Sequence, residues 1–301
     1  MATLAQRRTL TADTLGLLLG SLGLLGFSLT LPMTRLAVGA LDPTIVGLGR
    51  ALVAAVLAAI YLRATRQPRP TRRQWGSLAL VAGGVVLGFP LLSAWATVRL
   101  PAAHGAIILG VLPLLTALAG VLRAGEKPSR GFWLAGLAGS AVVIGFALNQ
   151  GAGGLQAADV VLLGAVAAAA LGYAEGGRLA RELGGAQVIC WALLLGVPFI
   201  ALPVAQAVVL HGLSAPPTAW AAFVYVATIS QFLAFFAWYR GMALAGVARV
   251  GQLQLLQPFL TLLWSAALLG EVITPPMLLA AGLVLIIVAL GRRAGVRRTE
   301  F

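Results

Sequence analysis

The sequence predicts an all-α membrane protein of ten transmembrane helices, arranged as two inverted five-helix repeats around a central cavity. Three observations carry that expectation. The 301 residues are 60% hydrophobic and only 10% charged, with a mean hydropathy of +0.98, far from the balance of a soluble domain. Apolar runs long enough to cross a bilayer follow one another with short connectors between them. The two halves of the chain can be laid on each other at a single offset of 145 residues.

Crossing the hydrocarbon takes about 20 mostly apolar residues, so the chain has room for roughly ten spans and little else. In the first half the runs are 13–34, 43–63, 74–97, 102–123 and 130–148, punctuated by Arg, Pro and Gly. The second half holds 157–177, 186–210, 218–240, 246–269 and 275–292. The first run follows Arg7 and Arg8 as a signal peptide would, but no small-residue cleavage site follows it, so it reads as a retained span.

Charge then orients the spans. The formal charge of +13 sits in connectors, not on a continuous basic surface, which argues for topology and against nucleic acid. Eighteen of the 21 Lys and Arg fall in the tails and alternate connectors on one side, from Arg7 to Arg298. Only Arg35 and Arg99 fall on the other, and Arg50 lies within the second run. By the positive-inside rule both termini are expected in the cytoplasm of a bacterial cell, with the spans in its inner membrane. The lone Cys190 allows no intramolecular disulfide and no cysteine metal cluster.

The repeat divides the chain into units 1–150 and 151–301. At the common offset Trp75 falls on Trp220, Pro113 on Pro258, Thr116 on Thr261, Gly125 on Gly270 and Glu126 on Glu271. Each unit holds an odd number of spans, so the second enters the membrane upside down relative to the first. This plan belongs to secondary transporters, whose substrates sit near the midplane between the halves.

Polar side chains within spans are the best site markers, because hydrocarbon tolerates them only when paired or facing a cavity. Gln254, Gln257 and Thr261 share one helical face of the ninth run, with Gln252 a turn away. They either line a cavity suited to a polar neutral or zwitterionic solute or hydrogen-bond to neighbouring helices. Gln231 and Phe235 in the eighth run, Ser93 in the third, and the central Tyr173 and Trp264 complete the candidate substrate-binding set. Trp238 and Tyr239 either continue the aromatic face of Gln231 and Phe235 towards the cavity or, beside Arg240, form an interfacial belt, the plainer reading. Pro113 and Pro258 each remove a backbone hydrogen bond and are candidate gating hinges, although prolines are also common in membrane helices.

Two groups could carry protons. His104 stands at the start of the fourth run, where a solvated helix-start residue is the plainer reading. Glu175 is the one carboxylate well inside a run, but Arg178 three residues on suggests an ion pair. Arg50 reads as a snorkelling side chain, or one paired with Asp42 or a backbone carbonyl, and not as a substrate contact. Gly16 with Gly20, and Gly136 with Ser140, have the spacing of close helix packing.

These residues resemble a family. The segment from Leu100 to Leu148, with its central Pro113 and its Gly125-Glu126 stop, recurs from Leu244 to Leu290 with Pro258 and Gly270-Glu271. The pattern is similar to the ten-helix, EamA-type members of the drug/metabolite transporter superfamily. Within it the chain looks like the bacterial amino-acid exporters of the YddG kind. The resemblance implies a basket of ten helices, a cavity lined by spans one, three, four, six, eight and nine, and an amino-acid substrate.

The expected function is therefore export of small neutral or zwitterionic metabolites by alternating access, with a lipid bilayer as the surroundings and a monomer sufficient. No cofactor or metal is expected, and no enzyme chemistry, because the runs contain no paired carboxylates, histidine cluster or phosphate loop. The alternatives are an exporter of drugs or other metabolites and, in another class, a membrane-embedded lipid-modifying enzyme. Hydrophobic-cation efflux is disfavoured because Leu15 to Pro32 holds no carboxylate.

Overall fold

The computed structural model describes residues 11–100, 108–149, 157–270, 296–298 and part of 275–287. Seven helices among them are long and apolar enough to cross a membrane: α1 (Ala12–Val38), α2 (Ile45–Ala64), α3 (Arg72–Arg99), α6 (Ala157–Leu183), α7 (Gly185–His211), α8 (Pro217–Ala245) and α9 (Val247–Leu269). Between α3 and α6 lie the shorter apolar α4 (Leu112–Ala124) and the 20-residue α5 (Arg130–Asn149). Helical residues also fall between 275 and 287, in the place of the expected tenth span. A short antiparallel pair joins β1 (Glu126–Pro128) to β2 (Val296–Arg298).

The burial pattern suits a bundle surrounded by lipid. Leu22, Val56, Phe199 and Leu202 stand exposed along their helices, where an aqueous surface would call for polar residues. Polar groups turn inward: Arg50, Glu175, Gln252, Gln254 and Gln257 are all buried. Lipid tails are as apolar as the helices, so close van der Waals approach holds such a bundle together. Helices α1 and α8 show how it is achieved. A Cβ added to Gly241 would lie 2.7 Å from the Gly16 carbonyl oxygen and 2.8 Å from the Gly20 amide nitrogen. Only hydrogen fits there, as the spacing of Gly16 and Gly20 predicts. The other expected pair fares differently: Gly136 meets Leu114, while the Ser140 hydroxyl is buried without a partner among the described residues.

The internal repeat reaches the irregular features of the helices. Leu112–Ala124 and the Gln257–Leu269 part of α9 are equal in length and coincide at the 145-residue offset. Each has its proline in the second position, where a missing N–H does least harm. Each ends at a glycine in the left-handed region, Gly125 at φ 64° and Gly270 at φ 73°. Helices α3 and α8 likewise contain a wide, π-helical turn at matching positions, Ala82–Gly88 and Val226–Leu233. Such turns concentrate at functional sites.

Several helices outrun their expected limits. Helix α6 continues to Leu183, past the expected 177, because Arg178 and Arg181 find carboxylate partners along its last turns. Helix α8 continues to Ala245, which draws Trp238 and Tyr239 into the interior.

Candidate functional site

A narrow cavity lies where the irregular turns meet. Its volume is about 20 Å³, room for about one water molecule, so a solute fits only when the helices around it part. Phe27, Thr30 and Leu31 of α1 line it, together with Val85 and Phe89 of α3 and Leu112 of α4. Tyr173 of α6, Ser230, Gln231 and Phe235 of α8, and Gln257 of α9 complete most of the wall. These are the six spans that the resemblance implied. A seventh helix, α2, contributes Arg50.

Broken backbone pairing shapes the wall. Helix α1 kinks at Leu29, and Pro32 has no N–H to offer the Ser28 carbonyl four residues back. That carbonyl accepts instead from Thr261 Oγ1 at 2.9 Å, while Ser28 Oγ accepts from Trp264 Nε1 at 2.9 Å. The wide turn of α3 works in a similar way. The Phe89 N–H donates to the Gly84 carbonyl, and the next carbonyl, Val85, faces Pro90 in that register, which has no N–H. Gln231 Nε2 reaches across from α8 to donate to Val85 at 2.9 Å. Beside it, the Thr30 and Ser230 hydroxyls pair at 2.7 Å.

The aromatic wall is a single cluster. The Phe27 ring centroid lies 4.9 Å from that of Phe235 and 5.9 Å from that of Tyr173, and the Trp238 ring packs edge-on behind them, 5.7 Å from Phe27. Trp238 and Tyr239 are fully buried, which corrects their expected place in an interfacial belt. Tyr239 Oη donates to the Gly172 carbonyl at 3.1 Å. The aromatic pair holds α6 and α8 together behind the cavity.

Of the predicted substrate-binding residues, the structure brings Tyr173, Gln231, Phe235 and Gln257 to the cavity wall. Thr261 and Trp264 bond to Ser28 and join α9 to α1. Gln254 Oε1 accepts from Thr116 Oγ1 at 3.1 Å, a bridge between α9 and α4. Ser93 donates to the Pro90 carbonyl of its own helix and is buried away from the cavity. Pro113 and Pro258 stand one residue beyond the wall residues Leu112 and Gln257, each directly after an irregular turn.

Glu175 lies away from the cavity, in the ionic cluster at one end of the bundle. Its Oε1 accepts from Arg178 at 2.7 Å and its Oε2 from Arg123 at 2.9 Å. Nearby, the buried Glu126 accepts from the Val247 and Ala248 amides at 2.7 Å each, capping the start of α9. The recurring Gly-Glu stop, at its first occurrence, is thus a helix cap supplied to the other half. His104 and Glu271 lie outside the described residues.

Sequence reasoning also misplaced Arg50. Its side chain does not snorkel: the residue is 1% exposed, and its Nε and Nη1 have no hydrogen-bond partner. Nor does it pair with Asp42, whose Oδ1 caps α2 by accepting from the Thr44 amide at 2.8 Å and whose Oδ2 lies 3.6 Å from His211 Nε2. The signal was its place inside an apolar run, seven residues after the Pro43 that opens it.

Residues 14–148 and 156–291 each match the EamA-like transporter family. The chain belongs to that family. It is therefore a multi-pass membrane transporter and not an enzyme. It is 43% identical over 282 residues to a Bacillus subtilis (strain 168) protein named uncharacterized transporter YdeK, covering 91% of this chain and 96% of that one. It is 32% identical over 261 residues to a Streptantibioticus cattleyicolor protein named probable terminal-alkyne amino-acid exporter, covering 84% and 85% of the two chains. A solved structure shares its fold at a TM-score of 0.70 and 21% identity, covering 91% of this chain and 95% of that one.

Proposed function

We propose that this EamA-family transporter exports small neutral or zwitterionic metabolites, foremost amino acids with apolar or aromatic side chains, from the bacterial cytoplasm across the inner membrane. The observation that carries the proposal is the cavity wall. Phe27, Tyr173 and Phe235 line a narrow space together with Gln231, Gln257, Thr30 and Ser230. Such a wall offers apolar contact to a side chain and hydrogen bonds to a polar backbone group. The relative named as an exporter of a terminal-alkyne amino acid supports the same substrate class. In this reading both termini are cytoplasmic, a monomer suffices, and the turns before Pro113 and Pro258 let the two halves rock about the site.

Uptake of labelled threonine, methionine and phenylalanine into proteoliposomes tests the proposal, with a lipophilic cation and protein-free vesicles as controls. Saturable amino-acid uptake is expected, with methionine and phenylalanine favoured. Replacing Gln257 by Ala is expected to weaken apparent affinity by about 2- to 10-fold, the worth of one hydrogen bond. Cation uptake without amino-acid uptake would overturn the substrate assignment.

A further inference from the structure

Among the described residues, the cavity contains a charge without a counter-charge. We propose that Arg50 is the anchor for a substrate carboxylate, so that the transported solute is recognised by its acid group and not by its amine. The inference rests on the proposed function for its choice of substrate and adds the group by which that substrate is held.

Arg50 begins the regular part of α2, directly after the π-helical turn Ile45–Gly49, and its side chain lines the cavity beside Tyr173, Gln231 and Gln257. A guanidinium carries five N–H donors and stays charged, and leaving it buried and unpaired is among the costliest arrangements a membrane protein can hold. A structural role would show as a carboxylate or carbonyl partner. None is present among the described residues, where Nε and Nη1 are both buried and unpartnered. Nor does a carboxylate line the cavity among the described residues. Asp13 pairs with Arg249, Asp42 caps α2, Glu126 caps α9, and Glu175 and Glu182 hold Arg178. Asp159 lies in the first turn of α6 and is not part of the cavity wall.

The chemistry of the missing partner follows. Paired N–H groups on a planar guanidinium match the two oxygens of a carboxylate. One cation is neutralised by a monoanion, whereas a phosphate dianion would leave a net negative charge in a wall with no second cation among the described residues. The aromatic rings in the same wall favour an apolar body on the solute. Because no acidic side chain among the described residues of the wall stands ready for an ammonium group, the amine of an amino acid contributes little. A carboxylate whose amine is blocked should therefore be accepted as well as the free amino acid, and an amino-acid amide should be refused.

The test measures proteoliposome uptake of phenylalanine, N-acetylphenylalanine and phenylalaninamide by wild type, Arg50→Lys and Arg50→Gln. Thermal stabilisation of the detergent-purified wild type by the same three compounds and by phenyl phosphate runs beside it. The expected result is uptake of both acids, refusal of the amide and a 10- to 100-fold weaker response to the acids in Arg50→Gln, the range for a lost charge-assisted bond. Arg50→Lys, which keeps the charge and loses the fork, should fall between. Equal uptake of phenylalanine and its amide, unchanged in Arg50→Lys, would overturn the anchor and leave amino-acid transport standing. Acetylated acid carried without phenylalanine, and lost in Arg50→Gln, would retain the anchor and end the amino-acid reading. Stronger stabilisation by phenyl phosphate than by either acid would overturn the carboxylate assignment. Should Arg50→Gln fail to fold, the wild-type comparison of acid with amide still decides.

Discussion

Gln254 and Gln257 lie three positions apart on α9 and serve different neighbours. Three residues of helical rise, about 5 Å, suffice to set one opposite Thr116 of α4 and the other at the cavity. Substituting each by Ala should therefore separate stability from transport. Gln254→Ala leaves the buried Thr116 hydroxyl without its acceptor, so it should lower stability by about 1–3 kcal/mol, read as a lower melting temperature in detergent, with transport retained in the folded fraction. The helical face that holds both residues was legible in the sequence, as were Tyr173, Gln231 and Phe235. What periodicity cannot supply is which neighbour covers a given stretch of that face. Arg50 was misread for this reason: its own helix gives its depth, but the helices that bury it come from elsewhere in the chain. Trp238 and Tyr239 were misread because α8 continues past Arg240, so a pair that looked terminal lies within the helix.

At the scale of elements, the order and approximate extent of the spans could be read from apolar runs, since hydrocarbon enforces them directly. The irregular turns could not. A wide turn in α3 or α8 leaves composition unchanged, and Pro32 and Pro90 look like ordinary membrane-helix prolines until the carbonyls they release are seen to find Thr261 and Gln231. Close packing was legible, because small residues four apart have few other uses in a lipid-facing helix. Gly241→Leu should accordingly force α8 away from α1, where a Cβ already meets backbone at 2.7 Å. Loss of the monodisperse species in size-exclusion chromatography is the expected outcome, whereas Gly76→Leu, where a Cβ meets nothing within 4 Å, should elute as wild type does.

At the scale of the molecule, the two halves are tied where Glu126 of the first caps α9 of the second, and where Asp13 pairs with Arg249. Glu126→Ala would leave two amides at the start of α9 without their acceptor. A loss of about 1–2 kcal/mol is expected, seen as a lower unfolding temperature. The sequence showed that the Gly-Glu pair recurs, but a carboxylate in a connector does not reveal that its partner is a helix start in the opposite half. The wide turns of α3 and α8 carry a consequence for how the chain arose. One offset takes Trp75 to Trp220 ahead of those turns and Pro113 to Pro258 beyond them. A helix acquires a wide turn by admitting one extra residue, and an addition made in one half alone would have broken that shared count. The shared count is what one addition made before the doubling would leave, carried by both copies alike.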